Sequence, residues 1–121
     1  MDKKIKADME KLLSRIDFNE RCRTVYSKAI NHWGESGQVT KAIEEMSELQ
    51  KILCKHLIAK RYGDKKKVNE LINQIKHEIL DVSIMIDQLR LIFGISDDEY
   101  EGGKGELINS LHHRIDHGGF K

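Results

Sequence analysis

The sequence predicts an all-α protein, four main helices arranged as a bundle with a short helical arm at the N-terminus, and three observations carry that expectation. The 121 residues contain no proline, so nothing forces a helix to break in its interior. Apolar residues recur at three- and four-residue steps, and alternations of β-branched with polar residues are too few to set a strand period. Asp17 is followed by Glu20, and Ser96 by Glu99, a spacing that lets an N-cap side chain and an acidic side chain satisfy free amides at a helix start. A chain of this length with 39% hydrophobic residues is long enough for one core and is expected to form one domain, residues 1–121.

Taken in order, Met9, Leu12, Leu13 and Ile16 have helical spacing and make the amphipathic arm, from about Lys6 to Ile16. The cap pattern at Asp17-Phe18-Asn19-Glu20 then opens a helix through Val25, Ala29 and Ile30 to Trp33, which Gly34 ends. After the loop Gly34-Glu35-Ser36-Gly37, a second helix is expected from near Gly37 to about Arg61, with Val39, Ala42, Ile43, Met46, Leu49, Leu53 and Leu57 as its apolar side. Tyr62-Gly63-Asp64 stops it, and Lys65-Lys66-Lys67 reads as a basic turn. A third helix, from about Val68 to Phe93, carries a long buried face of Leu71, Ile75, Ile79, Val82, Met85, Ile86, Leu89 and Phe93 before Gly94 closes it. The Ser96 box starts a last segment that Gly102, Gly103 and Gly105 interrupt. Regular helix is expected to resume near Glu106, with Leu107, Ile108, Leu111 and Ile115 inward.

Charged residues make up 34% of the chain but balance to a formal net charge of +1. Whole-chain charge therefore gives no reason to expect nucleic acid or a membrane surface as a partner. No run reaches the roughly 18 apolar residues of a membrane span, and the charged start Met1-Asp2-Lys3-Lys4 does not read as a signal peptide. Cys22 and Cys54 are too few for a disulfide framework and form no Cys-x-x-Cys pair. Reduced thiols in the core of a cytoplasmic protein are expected.

A specific site must then carry the function, and the chemistry concentrates in carboxylates. Glu44, Glu45 and Glu48 fall within five residues of the second helix, at spacings where like charges repel by roughly 0.2–0.5 kcal/mol per pair. A divalent cation reverses that sign, and an all-oxygen donor set suits Mg²⁺ or Mn²⁺ better than zinc. On the second helix alone the acidic side lies broadly opposite the apolar one, as on a solvated face, although Ile52 shares the acidic side. Glu78 on the third helix is different. It falls inside the apolar arc of Leu71, Val82, Met85 and Leu89, with Asp81 at the edge. A carboxylate there must be protonated, paired with a basic residue or bound to a cation. Antiparallel packing of the two helices would let Glu45, Glu48, Glu78 and Asp81 converge on one ion.

The pattern Glu44-Glu45-x-x-Glu48 followed by Glu78-x-x-Asp81 resembles the signature of the MazG-like all-α nucleoside triphosphate pyrophosphohydrolases. The likeness runs from about Trp33 to Leu89 and includes a Gln38-x-x-Lys41 lead-in and the Asp81-Val82 step. The gap between Glu48 and Glu78 is long for that family. Farther on, Lys104, Asn109 and Arg114 stand in the order of the family's lysine, asparagine and arginine, at a different spacing and among glycines.

The resemblance implies Mg²⁺-dependent hydrolysis of a nucleoside triphosphate, of deoxy or non-standard kind included, to the monophosphate and pyrophosphate, by a homodimer or a dimer of dimers. It implies Glu45, Glu48, Glu78 and Asp81 as metal ligands. Glu44 would position or deprotonate the attacking water, a role it could exchange with Glu45. Gln38, Asn109 and Arg114 would touch substrate. Lys41 would contact phosphate or pair with Glu44 or Glu45, and Trp33 would stack on a base or pack in the core. His113 and His117, one turn apart beside a glycine tail, lack other soft ligands and read as solvent-facing. Two rivals remain: a noncatalytic helical interaction module, and an enzyme like the phosphoribosyl-ATP pyrophosphohydrolases, which share the acidic pattern. A di-iron bundle is disfavoured because neither acidic helix supplies Glu-x-x-His.

Overall fold

A computed structural model describes residues 2–118. These form four helices and no strand: α1 (Lys3–Trp33), α2 (Glu35–Arg61), α3 (Lys65–Ile92) and α4 (Asp97–Asp116). The chain divides into two compact units, one up to Leu89 and one from Arg90 onward. The expected all-helical class is what the chain adopts.

The first unit is built on α2 and α3, which run antiparallel. Gln38 near the start of α2 donates its side-chain amide to Gln88 near the end of α3, while Ile52 and Ala59 farther along α2 share an apolar cluster with Val68, Leu71 and Ile75 from the first half of α3. The turn between them follows from local chemistry. Gly63 takes a φ of 68°, a left-handed conformation that costs glycine little, and the Asp64 carboxylate accepts from the Lys67 amide at 3.0 Å. That bond draws Lys65-Lys66-Lys67 into the first turn of α3, where a basic turn outside the helix was expected.

The protected stripe of α2 runs Gln38, Ala42, Glu45, Leu49, Ile52, His56, Ala59, alternating steps of four and three. The corresponding stripe of α3 is Val68, Leu71, Ile75, Glu78, Val82, Met85 and Gln88. Such a repeat of about 3.5 residues is the seam of helices packed side by side. Val39, Ala42 and Leu49 of α2 and Leu71, Ile75, Val82, Met85 and Leu89 of α3 are buried or half-buried as expected, but the expected faces were too broad. Ile43, Met46, Leu53 and Leu57 of α2 and Ile79, Ile86 and Phe93 of the third helical stretch are exposed. The cause is physical: polar residues occupy seam positions, so a face chosen by hydrophobicity leaves them out and spreads onto apolar residues beside the seam.

α1 is one helix where an arm and a separate helix were expected. No glycine or proline lies between Lys3 and Trp33, and Asp2 supplies the N-cap by accepting from the Lys4 amide at 3.1 Å. Asp17 consequently sits in mid-helix. The C-terminal half of α1 carries the half-buried Cys22, Tyr26, Ala29 and Ile30, and Tyr26 donates its hydroxyl to Asp87 of α3 at 3.1 Å. Of the two cysteines expected in the core, Cys22 is half-buried and Cys54 is exposed. Gly34, with φ of 83°, ends α1 as expected, but α2 starts at the next residue and leaves no four-residue loop.

In the second unit, Ser96 is the expected N-cap of α4, accepting from the Glu99 amide at 3.1 Å. Asp97, Asp98 and Glu99 place negative charge against the helix N-terminus. Arg90 bonds Asp97 at 2.7 Å and lies over the Tyr100 ring at 4.0 Å. Anchored in this way, α4 passes through Gly102, Gly103 and Gly105 without the expected interruption. Leu107, Ile108, Leu111 and Ile115, expected inward, are exposed.

Candidate metal centre

Halfway along the α2/α3 seam the apolar side chains give way to carboxylates. Glu45 of α2 and Glu78 and Asp81 of α3 each place an oxygen within 4.8 Å of the others. Antiparallel pairing explains the meeting: Glu45 is one seam step from Leu49, and Glu78 one step from Ile75, so the layer follows directly on the apolar cluster.

Each carboxylate has a different environment. Glu45 is only 15% exposed at its side chain and pairs with Lys41 at 3.1 Å. Asp81 pairs with His77 one turn earlier at 3.2 Å. Oε2 of Glu78 is buried and has no hydrogen-bond partner among the described residues. Desolvation pushes the Glu78 carboxyl above the ordinary carboxylate range, and the negative charges of Glu45, Asp81 and Glu48 push it in the same direction. The hydrogen bond to Glu45, and then that carboxylate's charge, hold the Lys41 ammonium above its ordinary range.

The donor set suits a hard divalent cation. It offers carboxylate oxygens with no sulfur, and one of those oxygens is buried without a donor, a condition that a bound cation relieves. Glu48 acts electrostatically on Glu78 from the edge of the cluster, but its oxygens are not among the three that converge. Glu44 is exposed and lies 3.8 Å from Lys41. Lys41 thus bridges both members of the Glu44-Glu45 pair.

The remaining predicted residues have varied settings. Gln38 is buried and its amide is engaged with Gln88. Trp33 is 64% exposed, its ring edge-on to His32 at 4.9 Å, so it has not been absorbed into a core. Asn109 and Arg114 are exposed on α4, in the second unit. His113 and His117 are exposed and stack on one another at 4.1 Å. Two polar partners went unnoticed in the sequence. His77 was legible in principle from its four-residue offset to Asp81, whereas Gln88 only acquires meaning through its cross-helix bond to Gln38.

No protein-family model, curated protein or solved structure matches the chain. The fold and the site define an all-α protein with a carboxylate layer set into a helix–helix seam.

Proposed function

We propose that the chain is a Mg²⁺-dependent nucleoside triphosphate pyrophosphohydrolase with a MazG-like four-helix arrangement, Mn²⁺ being an alternative ion. The observation that carries the reading is the buried, unpartnered Oε2 of Glu78 beside Glu45 and Asp81. The ordered acidic pattern on two helices supports it.

In this reading Glu45, Glu78 and Asp81 hold the ion, with Glu48 adding charge at the edge. The bound cation would supply neutralisation of the triphosphate and polarisation of a phosphoryl oxygen. Water adds across the α–β phosphoanhydride, giving nucleoside monophosphate and pyrophosphate with release of a proton. Glu44, the exposed member of the pair, accepts that proton or orients the water, and Glu45 is the alternative base. Lys41, held charged by Glu45, turns toward a phosphate as the substrate displaces its contact with Glu44. Trp33 offers an exposed ring to a base, and Gln38 would reach substrate only by giving up its bond to Gln88; the assignment of Asn109 and Arg114 to substrate rests on the resemblance alone. The same resemblance supports a homodimer or a dimer of dimers.

A panel of standard, deoxy and non-standard nucleoside triphosphates, together with phosphoribosyl-ATP, tests the reading by pyrophosphate release with Mg²⁺ and with EDTA. Mg²⁺-dependent release from a triphosphate is expected. Release from phosphoribosyl-ATP alone would move the substrate class, and no release from any nucleotide would leave the interaction module. The many exposed apolar side chains on α1, α2 and α3 are what favour that second reading.

A further inference from the structure

The N-terminal half of α1 carries an apolar stripe unrelated to the acidic layer. Ile5, Met9, Leu12 and Ile16 step by four, three and four residues and are each 47–57% exposed, while no residue of α1 is fully buried. Scattered exposed apolar residues need no explanation, but an ordered stripe of this kind does. A helical segment of this length is marginal in water on its own. Here it continues the half of α1 that is tied to α3 through Tyr26, so the helix is already formed and a partner need not order it.

We propose that this stripe is a self-association surface, in which the first half of α1 pairs antiparallel with the same segment of a second copy. The spacing is that of a two-helix seam, with Met9 and Ile16 at one core position and Ile5 and Leu12 at the other. An antiparallel two-fold centred between Glu10 and Lys11 stacks Met9 on Leu12 of the second copy and Ile5 on Ile16, filling every layer with apolar side chains. The flanks select this register. Asp8 and Arg15 lie on the same side of the stripe, and the two-fold sets Asp8 against the second copy's Arg15 twice over. Sliding by one heptad in either direction brings Asp8 against Asp8 or Arg15 against Arg15, and carries the polar Asp2 or Asn19 into the core. A parallel pairing leaves Asp8 facing Leu13 and sets Arg15 against Glu20 of the second copy, so Asp8→Arg would leave that pairing unweakened. Charge complementarity and an unbroken apolar core therefore point to a second copy as the partner and, among the antiparallel registers, to this one. The surface is separate from the acidic layer, so the pairing stands whether or not the chain hydrolyses nucleotides.

Sedimentation of the full chain at low salt, with circular dichroism as the check on folding, tests the pairing. Leu12→Asp should lower the association state while leaving helicity intact, because Leu12 is exposed. Asp8→Arg, and separately Arg15→Asp, each convert two attractive flank contacts into repulsive ones and should weaken association by roughly tenfold, given what exposed ion pairs contribute. The double variant Asp8→Arg/Arg15→Asp should return association close to the wild-type strength. A wild-type monomer at 100-fold the concentration of the assay's detection threshold, or an association state that Leu12→Asp leaves unchanged, overturns the proposal. A double variant no stronger than the single ones overturns the antiparallel register.

Discussion

The two halves of the α2/α3 seam share a spacing and differ in chemistry. At one end Ile52, Ala59 and Leu71 close the interface dry, with Leu71 only 1% exposed. Beyond Leu49 and Ile75, the positions that the same repeat would fill with leucine or isoleucine hold Glu45 and Glu78, and past them the buried Gln38–Gln88 pair takes over. The apolar end explains why the helices pair. The acidic layer works against pairing unless something neutralises it, since charges removed from water in a cluster disfavour the folded state. A seam with one unfavourable layer is expected where that layer has a ligand.

Breaking the acidic layer should produce the largest effect, and on activity. Glu78→Gln and Asp81→Asn are each expected to abolish Mg²⁺-dependent pyrophosphate release, and Glu48→Gln to reduce it, with circular dichroism unchanged. Full turnover in both of the first two variants would remove the layer from catalysis. Breaking the dry end should do the reverse. Leu71→Ala removes a fully packed side chain and should lower unfolding free energy by about 2–5 kcal/mol, read in urea melts, while the response of the remaining folded protein to Mg²⁺ persists.

The comparison sharpens when the cation is varied. Mg²⁺ should raise the melting temperature of the wild type over that in EDTA, because a ligand that binds only the folded state stabilises it by mass action. Glu78→Gln should lose most of that rise, yet equal or exceed the wild type in EDTA, since a neutral amide relieves the repulsion from Glu45, Asp81 and Glu48. A destabilised Glu78→Gln with no Mg²⁺ response in either protein would instead mark Glu78 as one half of a buried ion pair.

The elements of this seam and most of its α3 face were legible in the sequence, and the polar positions on its α2 face were not. Gly34, Gly94 and the Ser96 N-cap mark helix ends by backbone requirements that hold wherever they occur, and the structure keeps all three. The carboxylates were legible because Glu78 stands among apolar neighbours. The face of α2 differs because hydrophobicity assigns Gln38 and Glu45 to solvent, whereas Gln38 is held in the seam by a cross-helix bond that sequence spacing does not reveal, and Glu45 pairs with Lys41 at the four-residue spacing that allowed it. Ile52 was the one residue on the acidic side that pointed the other way, and it is buried. On α4 the local cost of three glycines predicts a break that the helix does not show. The Ser96 cap and the Arg90–Asp97 bond stabilise the start of that helix and offset part of the cost.

The smallest expected effect lies where α1 meets α3. Tyr26→Phe deletes the hydroxyl that Asp87 accepts and should cost about 0.5–1.5 kcal/mol at neutral pH, the usual net worth of such a bond. Its pH dependence is more diagnostic. Burial, followed by the adjacent charge of Asp87, raises the Tyr26 pKa far above the ordinary 10.0. Above pH 10 the unfolded chain releases this proton while the folded chain keeps it. Stability contributed by the neutral phenol is therefore fully present below pH 10 and is lost progressively as the pH climbs toward the raised value. Urea melts of the wild type between pH 9 and pH 11 should fall more steeply than those of Tyr26→Phe, so that the two proteins converge at the alkaline end. Parallel curves would mean that Tyr26 ionises as freely in the folded protein as in the unfolded chain, and that the C-terminal half of α1 is not held against α3 through this bond.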